Sequence, residues 1–102
     1  MAKVFAMYKK PADVAAFEKR YFEGHVPVAK KLPGLRRYEV TTGPVMTPGG
    51  PAPYHMIAVL SFDSMAAMQQ ALASAEGQAT AADANSFAAG LIELLIMDTK
   101  DV

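Results

Sequence analysis

The chain has 102 residues, the size of one domain, so residues 1–102 are expected to share a single core. Its ten basic and ten acidic side chains cancel and are scattered along the sequence, which leaves no electrostatic footprint for a nucleic acid; the lack of cysteine excludes disulfides, a thiol nucleophile and thiolate metal sites. Apolar residues make up 52% of the chain, including seven methionines, more than a lone subunit of this size needs to hide, and a subunit interface would absorb the excess.

The opening MAKVFAMYKKP is too short and too interrupted in its apolar part for a signal-peptide core or a membrane span, so a cytoplasmic location without membrane contact is expected. Lys3 to Tyr8 reads as a first strand, ended by Pro11. A helix is expected from Pro11, with Asp13 near its positive end and an apolar stripe of Val14, Phe17, Tyr21, Val28 and Leu32 that falls within about a 60° arc at 100° per residue. Pro27 removes a backbone donor and crowds the preceding turn, which predicts a kink or restart near His25 before Pro33-Gly34 ends the helix.

Leu35 to Thr42 suits a second strand with one buried face. The following GPVMTPGGPAP is expected to be a surface loop with no regular element. Tyr54 to Phe62 is a continuous apolar run and reads as a central strand covered on both faces. Asp63 or Ser64 can cap the next helix, with Met65, Met68 and Leu72 inward; a break near Gly77 separates it from a second helical piece over Gln78 to Ala89, closed by Gly90. Leu91 to Met97 supplies the last strand.

The order is β-α-β-β-α-β, an α+β ferredoxin-like arrangement in which a four-stranded antiparallel sheet carries its helices on one face. Two helices cover only that face, while the third and fourth strands are apolar on both. A second copy of the sheet is the simplest cover for the other, which predicts a homodimer forming a dimeric α/β barrel.

The segment from Tyr21 to Tyr38, with Tyr21-Phe22 before His25-Val26-Pro27 and then Leu32-Pro33-Gly34-Leu35, resembles the signature of the EthD family. The stretch with Met68, Ala75-Glu76-Gly77-Gln78, Asp83 and Phe87 is similar to that family's second helical region, so the resemblance spans nearly the whole chain. Gly24 departs from the larger polar residue common in relatives, which is expected to widen access beside His25; the long Pro-Gly loop is a neutral departure. The resemblance implies a fold shared with cofactor-free monooxygenases, polyketide cyclases and muconolactone-type isomerases, whose ligands lie between sheet and helices. It also implies a link to bacterial breakdown of fuel ethers. A shared fold licenses a pocket and not a reaction.

His25 is the candidate catalytic residue, because the helical wheel sets it on the inward stripe, where an imidazole can exchange a proton with, or hydrogen-bond, a phenol, quinone or carbonyl oxygen. Capping carbonyls freed by the Pro27 kink is its structural alternative. Tyr21 on the same stripe and Tyr38 on the second strand offer hydroxyls to a ligand, although buried tyrosines ordinarily satisfy themselves locally. Asp83 and Phe87, one turn apart, are candidates for the opposite wall of the slot; an inward aspartate would also pair naturally with an imidazole, although solvent is the ordinary place for such a residue. Arg36 and Arg37 are expected to pair with Glu39 or another carboxylate, and His55 belongs to a strand end or the dimer interface. Two distant histidines without carboxylates at ligand spacing make no metal set, glycine-rich phosphate motifs are absent, and no cofactor is expected.

Two functions follow from these residues. In one, the protein is an enzyme working without cofactor on an aromatic or otherwise apolar oxygenated small molecule, by oxidation, isomerisation or cyclisation. In the other, it is a non-catalytic accessory or carrier protein of a degradation pathway. Haem handling is a weaker third option.

Overall fold

The structure is a computed structural model describing all 102 residues. In chain order its elements are β1 (Ala2–Lys9), α1 (Val14–Arg20), a π turn (Tyr21–His25), α2 (Val26–Ala29), β2 (Arg37–Val40), a small hairpin of β3 (Met46–Thr47) and β4 (Gly50–Pro51), β5 (Tyr54–Phe62), α3 (Met65–Ala73), α4 (Ala75–Ala88) and β6 (Ile92–Asp98). The main sheet has the order β2-β5-β1-β6 with every pair antiparallel, as the βαββαβ pattern requires.

Alternation in the strands decides which face meets the helices. Ala2, Val4, Ala6 and Tyr8 on β1, and Met56, Ala58 and Leu60 on β5, are buried beneath the helices together with Phe17, Tyr21, Leu32 and Met68. Full burial of each large side chain contributes roughly 1.5–3 kcal/mol, so this layer dominates the stability of the fold. The intervening Phe5, Met7, Ile57 and Val59 point to the other face and stay half-exposed. Antiparallel pairing sets Ile96 opposite Val4, Leu94 opposite Ala6 and Ile92 opposite Tyr8, all on the helix side. No helix is long and apolar enough to cross a membrane.

Several expectations are corrected. Asp13, not Pro11, marks the start of α1: its Oδ1 accepts from the Ala16 amide at 3.0 Å, and the helix opens at Val14. Val14 stays 36% exposed because it precedes by a turn the first side chain the sheet covers, Phe17. The Pro-Gly loop does hold regular structure, the β3–β4 hairpin, tied by Thr47 Oγ1 donating to the Gly50 carbonyl at 2.8 Å. The break between the last two helices falls at Ser74 rather than Gly77, since Ser74 adopts an extended backbone and its hydroxyl caps α4 by accepting from the Gly77 amide at 3.0 Å. β2 is shorter than expected, four residues, and β6 begins at Ile92.

The helix does restart at Pro27, as its missing donor requires. The Val26 amide donates to the Tyr21 carbonyl, five residues back, so one wide turn spans Tyr21–His25 and Pro27 occupies the first turn of α2. This turn keeps Tyr21 and His25 on the buried side.

Candidate functional site

A cavity of about 100 Å³ lies between the sheet and the helices. Its floor is Val4, Ala6, Ala58 and Leu60, four apolar side chains of the two central strands. Tyr21 and His25 from the π turn and Tyr38 from β2 also line it, so the polar groups come from an otherwise hydrocarbon wall. Tyr38 reaches this space because alternation puts it on the helix face with Val40.

His25 is 4% exposed, and its Nδ1 lies 2.8 Å from Asp83 Oδ2 on α4. Asp83 in turn meets Arg20, with Nη2 donating to Oδ1 at 2.6 Å and Nη1 to Oδ2 at 3.3 Å. The Arg20 guanidinium beside Asp83, and after it the His25 hydrogen bond, hold this carboxyl below the usual carboxylate range although partial burial opposes them. An ionised carboxylate only accepts, so Nδ1 carries a proton, and in the neutral ring Nε2 is the nitrogen with the lone pair. Ser86 Oγ accepts from Arg20 Nη2 at 3.1 Å, and the guanidinium carbon sits 4.8 Å above the Phe87 ring, which fixes the arginine from two further sides.

The Tyr21 and Tyr38 hydroxyls share a hydrogen bond of 2.6 Å. Burial holds both phenols above their ordinary range, and the adjoining Tyr38 hydroxyl adds to the rise at Tyr21. Both therefore remain neutral hydroxyls at physiological pH, able to donate a hydrogen bond to an oxygen in the cavity.

The structure brings together all five residues singled out in the sequence, three at the cavity and two behind it. Tyr21, His25 and Tyr38 line the cavity. Asp83 does not face solvent, as expected of it, nor does it form an opposite wall: its side chain is 19% exposed and stands behind His25. Phe87 also belongs behind the cavity, packed 5.5 Å from the His25 ring and 5.6 Å from Phe17. Both are corrected for the same reason: α4 lines the cavity with Gly77, Thr80, Ala81 and Ala84, while the side that carries Asp83 and Phe87 meets Arg20, Phe17 and His25 instead.

Arg20 was not singled out in the sequence. Its only trace there is the glycine one turn later: a Cβ at Gly24 would collide with the Arg20 guanidinium, so Gly24 leaves the lane along which the arginine reaches Asp83. That is a different use of Gly24 from the wider access expected. The other arginines behave as anticipated, Arg36 clasping Asp63 at 2.8 Å and Arg37 lying 3.4 Å from Glu39 on the surface. His55 sits at the start of β5 and contacts α1 through Glu18 Oε1 at 3.1 Å and the Phe17 ring.

The EthD domain family model matches residues 9–90. An uncharacterized 11.0 kDa protein in the thcB-thcC intergenic region of Rhodococcus erythropolis is 37% identical over 102 residues, covering 100% of this chain and 98% of the relative. The crystal structure of an ethyl tert-butyl ether D (EthD) family protein from Bacillus halodurans C-125 superposes with a TM-score of 0.90 at 36% identity, covering 98% of this chain and 99% of that one. More distantly, the fold matches SnoaB, a cofactor-independent oxygenase from Streptomyces nogalater, with a TM-score of 0.67 at 14% identity over 99% of this chain and 94% of that one.

Proposed function

The chain belongs to the EthD family, and on that premise we propose that it binds a small apolar or aromatic molecule bearing an oxygen, with His25 as the group that removes a proton from it. The observation that carries this reading is the Asp83–His25 pair at the cavity wall, 2.8 Å between Oδ2 and Nδ1, which leaves Nε2 as the basic nitrogen in an apolar space. A phenol, or a carbonyl compound with an acidic C–H, would give its proton to Nε2 while the Tyr21–Tyr38 pair hydrogen-bonds the oxygen on which negative charge collects. The resulting electron-rich anion is the species from which oxidation by dioxygen or isomerisation by return of the proton at another carbon would proceed. The first of these is the kind of activity named for SnoaB.

We infer further that the protein works as a homodimer in the cytoplasm. Phe5, Met7, Ile57, Val59, Leu95 and Met97 form one apolar sheet face with no helix over it, of the kind that two copies bury against each other.

The test is a thermal-shift titration of the wild type and His25→Ala against phenols, quinones, lactones and branched ethers. A ligand that binds only the folded protein raises the melting temperature with concentration. The expected result is that one class stabilises the wild type and that His25→Ala, still folded, loses the response. A class that binds both proteins equally and is never turned over would instead assign the cavity to a carrier.

A further inference from the structure

The cavity does not end at its walls. It opens past Leu72, Thr80 and Ala81 on the helices toward β6, where Leu94 is 58% exposed and Ile96 51% exposed. These two lie on the helix side of the sheet, directly across from Ala6 and Val4 of the cavity floor, so the floor continues without a step into an uncovered apolar strip. Leu72, on the facing helix, is 37% exposed at the same opening. Leu94 forms the edge of the cavity, and Ile96, the next position on the same face, carries the hydrocarbon about 7 Å beyond it. The cavity itself is small: a dry apolar space of about 150 Å³ is what one benzene molecule occupies in a protein core, and this one is about 100 Å³.

From that mismatch between a small polar-ended cavity and a long apolar lip we infer that the ligand has two parts: an oxygen-bearing head no larger than one small ring, held at His25 and the tyrosine pair, and an apolar tail that leaves through the mouth and lies along Leu94 and Ile96. This deepens the proposed site and rests on it, adding a shape to the ligand class. Head and tail play different roles. The head meets the imidazole and the tyrosine hydroxyls, so it fixes orientation; the tail passes Thr80, whose hydroxyl already donates to the Glu76 carbonyl, and then hydrocarbon, so it adds affinity in proportion to its covered length. Charged groups do not contest the tail's path, since on the helix face β6 presents only Ile92, Leu94 and Ile96 before Asp98.

Isothermal titration of phenol, 4-ethylphenol, 4-butylphenol and 4-hexylphenol against the wild type, Ile96→Lys and Ile96→Ser tests the inference, with sedimentation velocity on each protein. Affinity for the wild type is expected to rise on the order of threefold per added methylene. The ratio of hexylphenol to phenol affinity should collapse in Ile96→Lys and fall partway in Ile96→Ser, with melting temperatures near the wild type because the position is half-exposed. Phenol binding with an affinity that is flat or falls along the series overturns the two-part ligand and leaves the His25 site standing. No binding of any member removes both. If Ile96→Lys changes the sedimenting mass, the strip belongs to a second copy of the chain, and the inference fails on that ground.

Discussion

His25 differs from an ordinary core histidine in what stands behind it. Asp83 is held ionised by Arg20, and Arg20 is held by Ser86 and the Phe87 ring, so the imidazole has one tautomer and one orientation. The pH dependence of stability follows from the same carboxyl. Its pKa in the folded state is lowered, chiefly by the Arg20 hydrogen bond. As pH falls, the unfolded chain takes up this proton first, near the ordinary aspartate value of about 3.9, and the folded protein takes it up lower still. The stabilisation is therefore complete above that value and is lost as pH drops through the folded pKa. Asp83→Asn should melt lower than the wild type at pH 7, and the gap should narrow as pH falls from about 5 toward 3; thermal melts across that range check it. A gap that stays constant with pH would mean that the carboxylate's charge is immaterial there.

At the scale of elements, Ser74 closes one helix and opens the next, with its backbone amide donating to the Gln70 carbonyl at 3.1 Å and its hydroxyl accepting from Gly77. Gly77 is fully committed to that junction, because a Cβ there would run into the Ala71 and Leu72 carbonyls. Ser74→Ala is expected to cost about 1 kcal/mol of stability, read from urea denaturation, whereas Gly77→Ala should cost more because backbone has to move. Strand order, helix faces and the restart at Pro27 were legible in the sequence because each has a local cause: alternation, a 3.6-residue period, a missing donor. The Ser74 break was misplaced by three residues, since Gly77 looks like a helix breaker until its packing against α3 is visible. Pairing of Asp83 with an imidazole was legible as the inward alternative, whereas the choice between that and solvent is decided by how α4 lies on the π turn, which no local pattern records. Arg20 was invisible for the same reason, being a charged residue on a helix whose partner is 63 positions away.

For the whole molecule, the proposed dimer rests on the uncovered sheet face. Val59 sits on β5 between Phe5 of β1 and Glu39 of β2 on that face. A lysine there would bring a charge into the apolar patch that two copies need, so Val59→Lys should sediment as a monomer at micromolar concentration where the wild type sediments as a dimer. A wild type that is itself a well-folded monomer would reject the proposed interface. The two rims of the sheet are unequal in this respect. β2 is a four-residue rim strand carrying Arg37 and Glu39, whereas β6 is seven residues long and reads Ile-Glu-Leu-Leu-Ile-Met-Asp. Its outer backbone edge has no neighbour in the sheet, and Leu94, Leu95 and Ile96 are each about half-exposed. A long apolar rim is a template on which other chains can pair, and charged gatekeepers are the usual safeguard. Along β6 that safeguard is Glu93 and Asp98 alone, and Glu93 is already engaged by Lys9 and Tyr54. Of the two rims, β6 is therefore the one on which solubility depends, and Glu93→Gln should lower the concentration at which the protein begins to scatter light, with an unchanged onset rejecting the rim as the cause.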